Sequence, residues 1–325
     1  MSPSDLIPAI YKCTLEFLEE RGYISRVLRA SNTESIDDRM NRVDIKSNGL
    51  DIVDAVNCVL DRNRTFAFMN AIERSVKPGD FVIEAGVGTG ILAVFAAALN
   101  GDVCGIEINK ETIGLAKDLA EWFIQKRIID ENNIQIFLAD ASLWEPSRKA
   151  NVIISENIST GMFYEMQIPI VNHLLGFLES SGQVVPQSMQ SYIILANTRL
   201  PEERSHGESF TQSEIEGRLY KFSELSCPIL YDNINFFQIN AIECQVNINI
   251  PVIKSGNINS LLIYSQVAVA SDILLRRRDM TCLGEDNFIV IDPPLQANKG
   301  STVNLKMVYN RGSKTEEGFY AISII

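Results

Sequence analysis

A parallel α/β sheet followed by an antiparallel β-structured domain is the fold class this sequence predicts, and three observations predict it. From Phe81 onward, short apolar runs alternate with stretches of helical periodicity. One of those runs leads directly into glycines at alternate positions, Gly86, Gly88 and Gly90, with an apolar helix behind them. After Gly182 the helical crossovers stop, and β-rich segments bounded by Gly, Asn and Pro turns take over.

The elements follow in chain order. Leu6, Ile10, Leu15, Leu18, Ile24 and Leu28 recur at roughly helical spacing among charges, which predicts two short helices with Gly22 as the stop between them. Polar residues fill Ser31–Asn48, Asp51–Ser75 reads as further helix, and Lys77-Pro78-Gly79-Asp80 is a turn. Phe81–Glu84, Val103–Glu107, Ile134–Leu138 and Val152–Ser155 read as buried parallel strands, separated by helices near Ile91–Ala98, Glu111–Gln125 and Glu165–Glu179. Gln183–Leu195, Phe236–Val252, Ser260–Ala270, Asn287–Ile291, Thr302–Tyr309 and Gly318–Ile324 supply the β-rich part. The expected division is an N-terminal helical segment (1–50), a ligand-binding α/β domain (51–185) and a β-structured domain (186–325), from which residues 201–221 make a polar excursion.

The chain has 325 residues, and 41 acidic against 29 basic side chains give a net charge of −12. That balance argues against nucleic acid as a partner and suits a cationic substrate. The excess is uneven: residues 151–250 carry 11 acids against 4 bases, and residues 251–325 carry 7 against 8. Six scattered cysteines form no CxxC, and two histidines, His173 and His206, offer a zinc site almost no ligands, so reduced thiols and no metal are expected. The N-terminus lacks a signal-peptide pattern, and the longest apolar run, Ile91–Leu99, is far short of the ~20 residues that span a bilayer. A cytoplasmic protein with no membrane partner is the expectation.

Val82-Ile83-Glu84-Ala85-Gly86-Val87-Gly88-Thr89-Gly90 is a strand entering a glycine loop, where the missing side chains let backbone approach a ligand. A dinucleotide fingerprint would need glycine at position 91, where the chain has Ile91. The spacing instead resembles the first motif of class I S-adenosylmethionine (SAM) methyltransferases. The next strand ends in Glu107, placed to accept hydrogen bonds from ribose hydroxyls, and the third is followed by Asp140, either a loop cap or a contact to an adenine edge. All lie at the carboxyl ends of parallel strands, where open α/β sheets bind ligands.

The fourth strand runs into Ser155-Glu156, and Phe163-Tyr164-Glu165 follows, so two glutamates stand nine residues apart. Taken singly, Glu156 could cap a helix and Glu165 could be solvated. As a pair with these neighbours they resemble the double-E loop of the protein arginine methyltransferase family. Asp61-Arg62-Asn63-Arg64-Thr65 with Ala71-Ile72 is similar to that family's D-x-x-R-T…A-I helix, and Gly88-Thr89-Gly90-Ile91-Leu92 to its glycine loop. The resemblance is clear over about residues 60–190. It implies a class I methyltransferase Rossmann-like sheet with a C-terminal antiparallel β-barrel-like domain, SAM as cofactor and S-adenosylhomocysteine as product. Arg64 would pair with the cofactor carboxylate, with Glu84, Gly86, Gly88, Gly90, Ile91, Leu92, Glu107, Ile108, Asp140, Ala141 and Glu156 around the cofactor. Glu156 and Glu165 would be catalytic, with Met162 and Tyr164 beside the acceptor.

The chemistry fits such a pair: a guanidinium is a planar fork that stays protonated at neutral pH, and two carboxylates can grip it through charge-assisted hydrogen bonds. The family's Thr-His-Trp loop has no counterpart, since the corresponding stretch, Gly284-Glu285-Asp286-Asn287-Phe288, holds neither histidine nor tryptophan. Free arginine or another small guanidino metabolite is therefore favoured over a protein arginine. Methylation of another amine or a hydroxyl, and a non-catalytic SAM-binding scaffold, are the alternatives. The family's dimerisation arm implies a homodimer, with residues 201–221 as the candidate arm.

Overall fold

The computed structural model describes residues 3–33, 49–200, 204–211, 222–276, 279 and 286–325. Residues 201–203 and 212–221 of the candidate arm, Arg277 and Arg278, and Gly284 and Glu285 of the Thr-His-Trp counterpart lie outside them.

Helices α1 (Pro3–Glu20) and α2 (Tyr23–Thr33) meet at Gly22, whose φ of 76° suits a residue without a β-carbon. The stretch read as one helical region is two helices, α3 (Ile52–Leu60) and α4 (Arg62–Ser75). Asp61 separates them: its N–H closes α3 on the Asn57 carbonyl, and its carboxylate caps α4 by accepting from the Arg64 N–H at 3.2 Å. The α/β region then runs β1 (Phe81–Ala85), α5 (Ile91–Ala98), β2 (Asp102–Glu107), α6 (Thr112–Gln125), β3 (Ile134–Leu138), β4 (Ala150–Ser155), α7 (Gln167–Leu174) and β5 (Leu178–Val185). These five strands form one parallel sheet in the order β3-β2-β1-β4-β5. The order reverses direction beside β1, so the loops after β1, β2 and β4 open on one crevice.

Two expectations shift. Helix α7 starts at Gln167 rather than Glu165, and Leu178–Val185 is a strand rather than a helix end and a junction. As the sheet's edge, β5 exposes Glu179, Ser180 and Ser181, so it carries no continuous apolar run to reveal it.

Beyond Pro186 the chain builds antiparallel sheets from β6 (Ser188–Thr198), β7 (Ser209–Thr211), β8 (Phe222–Glu224), β9 (Ile229–Asn235), β10 (Glu243–Pro251), β11 (Gly256–Ala270), β12 (Ile273–Leu275), β13 (Asn287–Ala297), β14 (Thr302–Asn310) and β15 (Phe319–Ile324). One sheet has the order β7-β13-β11-β6-β8, with β12 on β11 and β9 on β6, and the other is β10-β14-β15. Ile193, Leu261 and Ile289 of the first meet Ile250, Leu305 and Met307 of the second in one apolar core, each fully buried. Burial of each such side chain contributes about 1.5–3 kcal/mol before entropy is counted. A larger core runs from Phe17 of α1 through Phe68, Val82 and Phe95 to Met189 and Val267 of the β-structured part, joining the two regions. Among the described residues, no helix is long and apolar enough to cross a membrane.

Candidate active site

The glycine loop forms because the chain must turn sharply at the end of a buried strand. Gly86, Gly88 and Gly90 all have positive φ, at 78°, 57° and 88°. A β-carbon on Gly86 would lie 2.4 Å from Asn157 Oδ1, and one on Gly90 would lie 3.2 Å from the Ala116 backbone. Gly86 and Val87 donate to the Ile106 carbonyl, folding the loop over β2. This brings the Gly88 N–H to Glu107 Oε2 at 2.9 Å, while Glu107 Oε1 accepts from the Asn109 N–H at 2.9 Å. Burial raises the Glu107 pKa, and these backbone donors oppose the rise.

The D-x-x-R-T stretch has a physical division of labour. Asp61 caps α4, and the Thr65 hydroxyl donates to the Cys58 and Val59 carbonyls at 3.1 and 3.2 Å, tying the two helices together. Arg64, on the first turn of α4, is thereby turned into the crevice. Its guanidinium forks onto Glu156, with Nε 3.0 Å from Oε1 and Nη2 paired with Oε2, and donates to the Cys58 carbonyl at 3.1 Å.

The segment between the two glutamates is strained. Gly161, Met162 and Tyr164 have φ of 68°, 59° and 65°, unusual for the two that are not glycine. The Glu165 N–H returns to the Phe163 carbonyl at 2.7 Å, which makes Tyr164 the centre of a three-residue turn. The antiparallel region holds this shape: Ser265 Oγ accepts from the Gly161 N–H at 3.0 Å, and the Tyr309 hydroxyl donates to the Gly161 carbonyl at 2.8 Å. Gly312 donates to the Met162 carbonyl and the Tyr164 N–H donates to the Ser313 carbonyl, at 2.8 and 3.1 Å. Glu165 is 5% exposed. Burial pushes its pKa up to about 8, with Cys58 adding to the rise and Arg64 opposing it.

One cavity, with about 1120 Å³ of empty space that includes open solvent, is lined by Arg64, Glu84, Gly86, Gly88, Ile91, Leu92, Glu107, Ile108, Asp140, Ala141, Glu156 and Glu165. Gly90 stands behind it at the start of α5. Asp140 both caps and lines: its Oδ1 accepts from the Ser142 N–H and hydroxyl at 2.8 and 2.7 Å. Met162 and Tyr164 do not line the cavity. Met162 is fully buried in the larger core, and the Tyr164 hydroxyl meets Ser209 Oγ at 2.7 Å and Thr315 Oγ1 at 3.3 Å. Cys58, Thr112, Asn157 and Met166 also line the cavity, and sequence reasoning missed them. Asn157 and Met166 directly follow Glu156 and Glu165, whereas Cys58 and Thr112 stand outside the motifs.

Residues 63–187 match the family model described as ribosomal protein L11 methyltransferase (PrmA). Among solved structures, the Trypanosoma brucei PRMT1 enzyme–prozyme heterotetrameric complex with AdoHcy has the same fold, with a TM-score of 0.66 at 13% identity over 83% of this chain and 92% of that one. The fold is that of the class I SAM-dependent methyltransferases. The chain is also 28% identical to an uncharacterized protein of Methanocaldococcus jannaschii, over 79% of this chain and 91% of that protein. It is 32% identical over 142 residues to protein arginine N-methyltransferase 1 of Dictyostelium discoideum, which is 41% of this chain and 39% of that one.

Its cofactor is SAM, and the lining of the cavity fits that molecule. Glu84 lines the cavity, is 2% exposed, and its Oε2 is buried without a hydrogen-bond partner among the described residues. Burial and the neighbouring Glu107 raise its pKa well above the usual carboxylate range. An ammonium donor beside it would satisfy both the orphaned oxygen and the charge.

Proposed function

We propose that this methyltransferase transfers a methyl group to a guanidino nitrogen, of free arginine or another small guanidino metabolite. Supporting this is the presence of Glu156 and Glu165 in the cavity that holds Glu84, Glu107 and the glycine loop. Arginine is the acceptor that the Dictyostelium relative's name states, and the matched region includes neither partner's full length.

Arg64 and Glu84 would hold the charged tail of SAM, Glu107 its ribose, and Gly86 and Gly88 would let backbone pack against it. When bound, SAM supplies an electrophilic methyl group on a sulfonium. Glu156 reaches the acceptor already oriented, because the Arg64 fork fixes its carboxylate plane. Glu165 is poised between protonation states by burial, and a guanidinium beside it favours the ionised form. Gripped from two sides, the fork is fixed in position, and the carboxylates draw its positive charge toward the nitrogens they hold. The remaining nitrogen keeps more electron density for attack.

By likeness to the trypanosomal assembly, the enzyme is proposed to work as an oligomer, a cytoplasmic homodimer in its simplest form. A second reading has one observation behind it: the matched family model is described by a ribosomal protein acceptor. Incubation with labelled SAM and a panel of arginine, small guanidino compounds, amines, arginine-rich peptides and ribosomal protein tests both. Label on guanidino compounds is the expected result. Label confined to amines or hydroxyls would refute the guanidino assignment, and label confined to ribosomal protein would favour the second reading.

A further inference from the structure

Gln167 is the first residue of α7, two positions after Glu165, and its side chain is fully buried. A buried amide has to satisfy its donors and its acceptor, and the bonds Gln167 makes go to the two residues that flank Glu156. Oε1 accepts from the Ser155 hydroxyl at 3.0 Å and from the Asn157 N–H at 2.9 Å, and Nε2 donates to the Ser155 carbonyl at 2.8 Å. Asn157 extends the link. Its Nδ2 donates to the Ala85 carbonyl at 2.8 Å and to Ser155 Oγ at 3.1 Å, and its amide fills the space beside Gly86.

We infer that Gln167 is a positioning residue that sets Glu156 in register with Glu165 and, through Asn157, with the glycine loop. The inference rests on the proposed role of the two glutamates. The strained loop of eight residues between them cannot by itself fix the separation of its ends, whereas one amide anchored beside Glu165 and bonded on both sides of Glu156 can. The side chain must reach from a helix start to a strand end while accepting twice and donating once. Asparagine is too short, methionine fills the space without bonds, and an ionised glutamate turns an acceptor toward the Ser155 carbonyl. A neutral glutamic acid restores the donor.

The test compares Gln167→Met and Gln167→Glu with wild type and with Glu165→Gln, on whichever acceptor the wild-type enzyme methylates. Gln167→Met should bind SAM within about threefold of wild type while kcat falls at least tenfold. Gln167→Glu should recover relative to wild type as pH falls, because its carboxyl becomes neutral and donates again. Glu84, Glu107 and Glu165 titrate in both proteins, so the recovery is read as a change in the ratio of the two activities. Amide exchange across residues 155–158 with SAM bound needs no acceptor, and it should quicken in Gln167→Met and not elsewhere in the sheet. A kcat within twofold of wild type in Gln167→Met, equal losses in both variants at every pH, or unchanged exchange would overturn the inference. Failure of the underlying reading looks different: Glu165→Gln would then keep full turnover.

Discussion

Glu165 is a carboxyl group that burial keeps from ionising easily. Its pKa of about 8 carries a sign that can be measured. If the ionised form grips the acceptor, kcat/KM, which reports the free enzyme, should climb with pH until about 8. A solvated glutamate would already give a plateau above roughly pH 5–6. The folded pKa lies above the ordinary 4.5, so neutral Glu165 favours the folded state at acid pH, and that contribution is lost as pH rises from 4.5 to about 8. Glu107 lines the same cavity and is proposed to hold the cofactor's ribose. Glu107→Ala should weaken SAM binding by at least tenfold in calorimetry, since each lost hydrogen bond to a charged group is worth about 1.5–3 kcal/mol. Glu107 was legible in the sequence as a charged residue at the end of an apolar strand, and Glu165 through its nine-residue spacing from Glu156 and the aromatic pair before it. Asn157 and Gln167 were not, because a neutral amide leaves no mark on charge or periodicity, and its role emerges only from the groups it bonds.

At the scale of elements, the parallel strands around β1 were legible because burial on both faces imposes apolar runs, as in Val82, Ile83 and Ala85. Strand β5 was hidden by its solvated edge, and the conformation of the loop between Glu156 and Glu165 was hidden as well, since positive φ at Met162 and Tyr164 has no side-chain signature. That loop keeps its shape through the antiparallel sheets, which implies that damage far from the cofactor should reach catalysis. Tyr309→Phe removes the donor to the Gly161 carbonyl and should cost about 1–3 kcal/mol in denaturant unfolding. Gly161→Ala should cost more, because its β-carbon would lie 2.4 Å from the Phe163 ring at a backbone φ of 68°. Both variants should lose turnover while binding SAM nearly as well as wild type, and equal losses of SAM affinity and turnover would argue against the loop as the affected element.

For the whole molecule, the larger core joins α1, the parallel sheet and residues Met189, Phe236 and Val267 of the β-structured part. One cooperative unfolding transition is therefore expected in calorimetry. SAM at 100 times its Kd should raise the whole transition by the equivalent of about 2.7 kcal/mol, whereas two transitions of which only one moves would show that the regions unfold separately. The net charge of −12 also reads differently once the fold is known. Within the acidic stretch 151–250, Glu156 and Glu165 face the cavity, but Asp232 is neutralised by a two-pronged bond from Arg311, with Nη2 2.8 Å from Oδ1 and Nε 3.1 Å from Oδ2. The acidity that matters is thus the cluster of Glu84, Glu107, Glu156 and Glu165 in one crevice, opposed there by Arg64. A crevice of that make-up favours a cation.

The most direct measurement is single-turnover methyl transfer, to whichever acceptor the labelling panel reveals, by wild type, Glu156→Gln and Glu165→Gln, with SAM affinity measured on the same samples. Glutamine keeps the shape and removes the charge, so turnover should fall at least a hundredfold in each variant, with Glu165→Gln binding SAM within about threefold of wild type. Full turnover in either variant with SAM affinity unchanged would contradict a guanidinium held between the two glutamates.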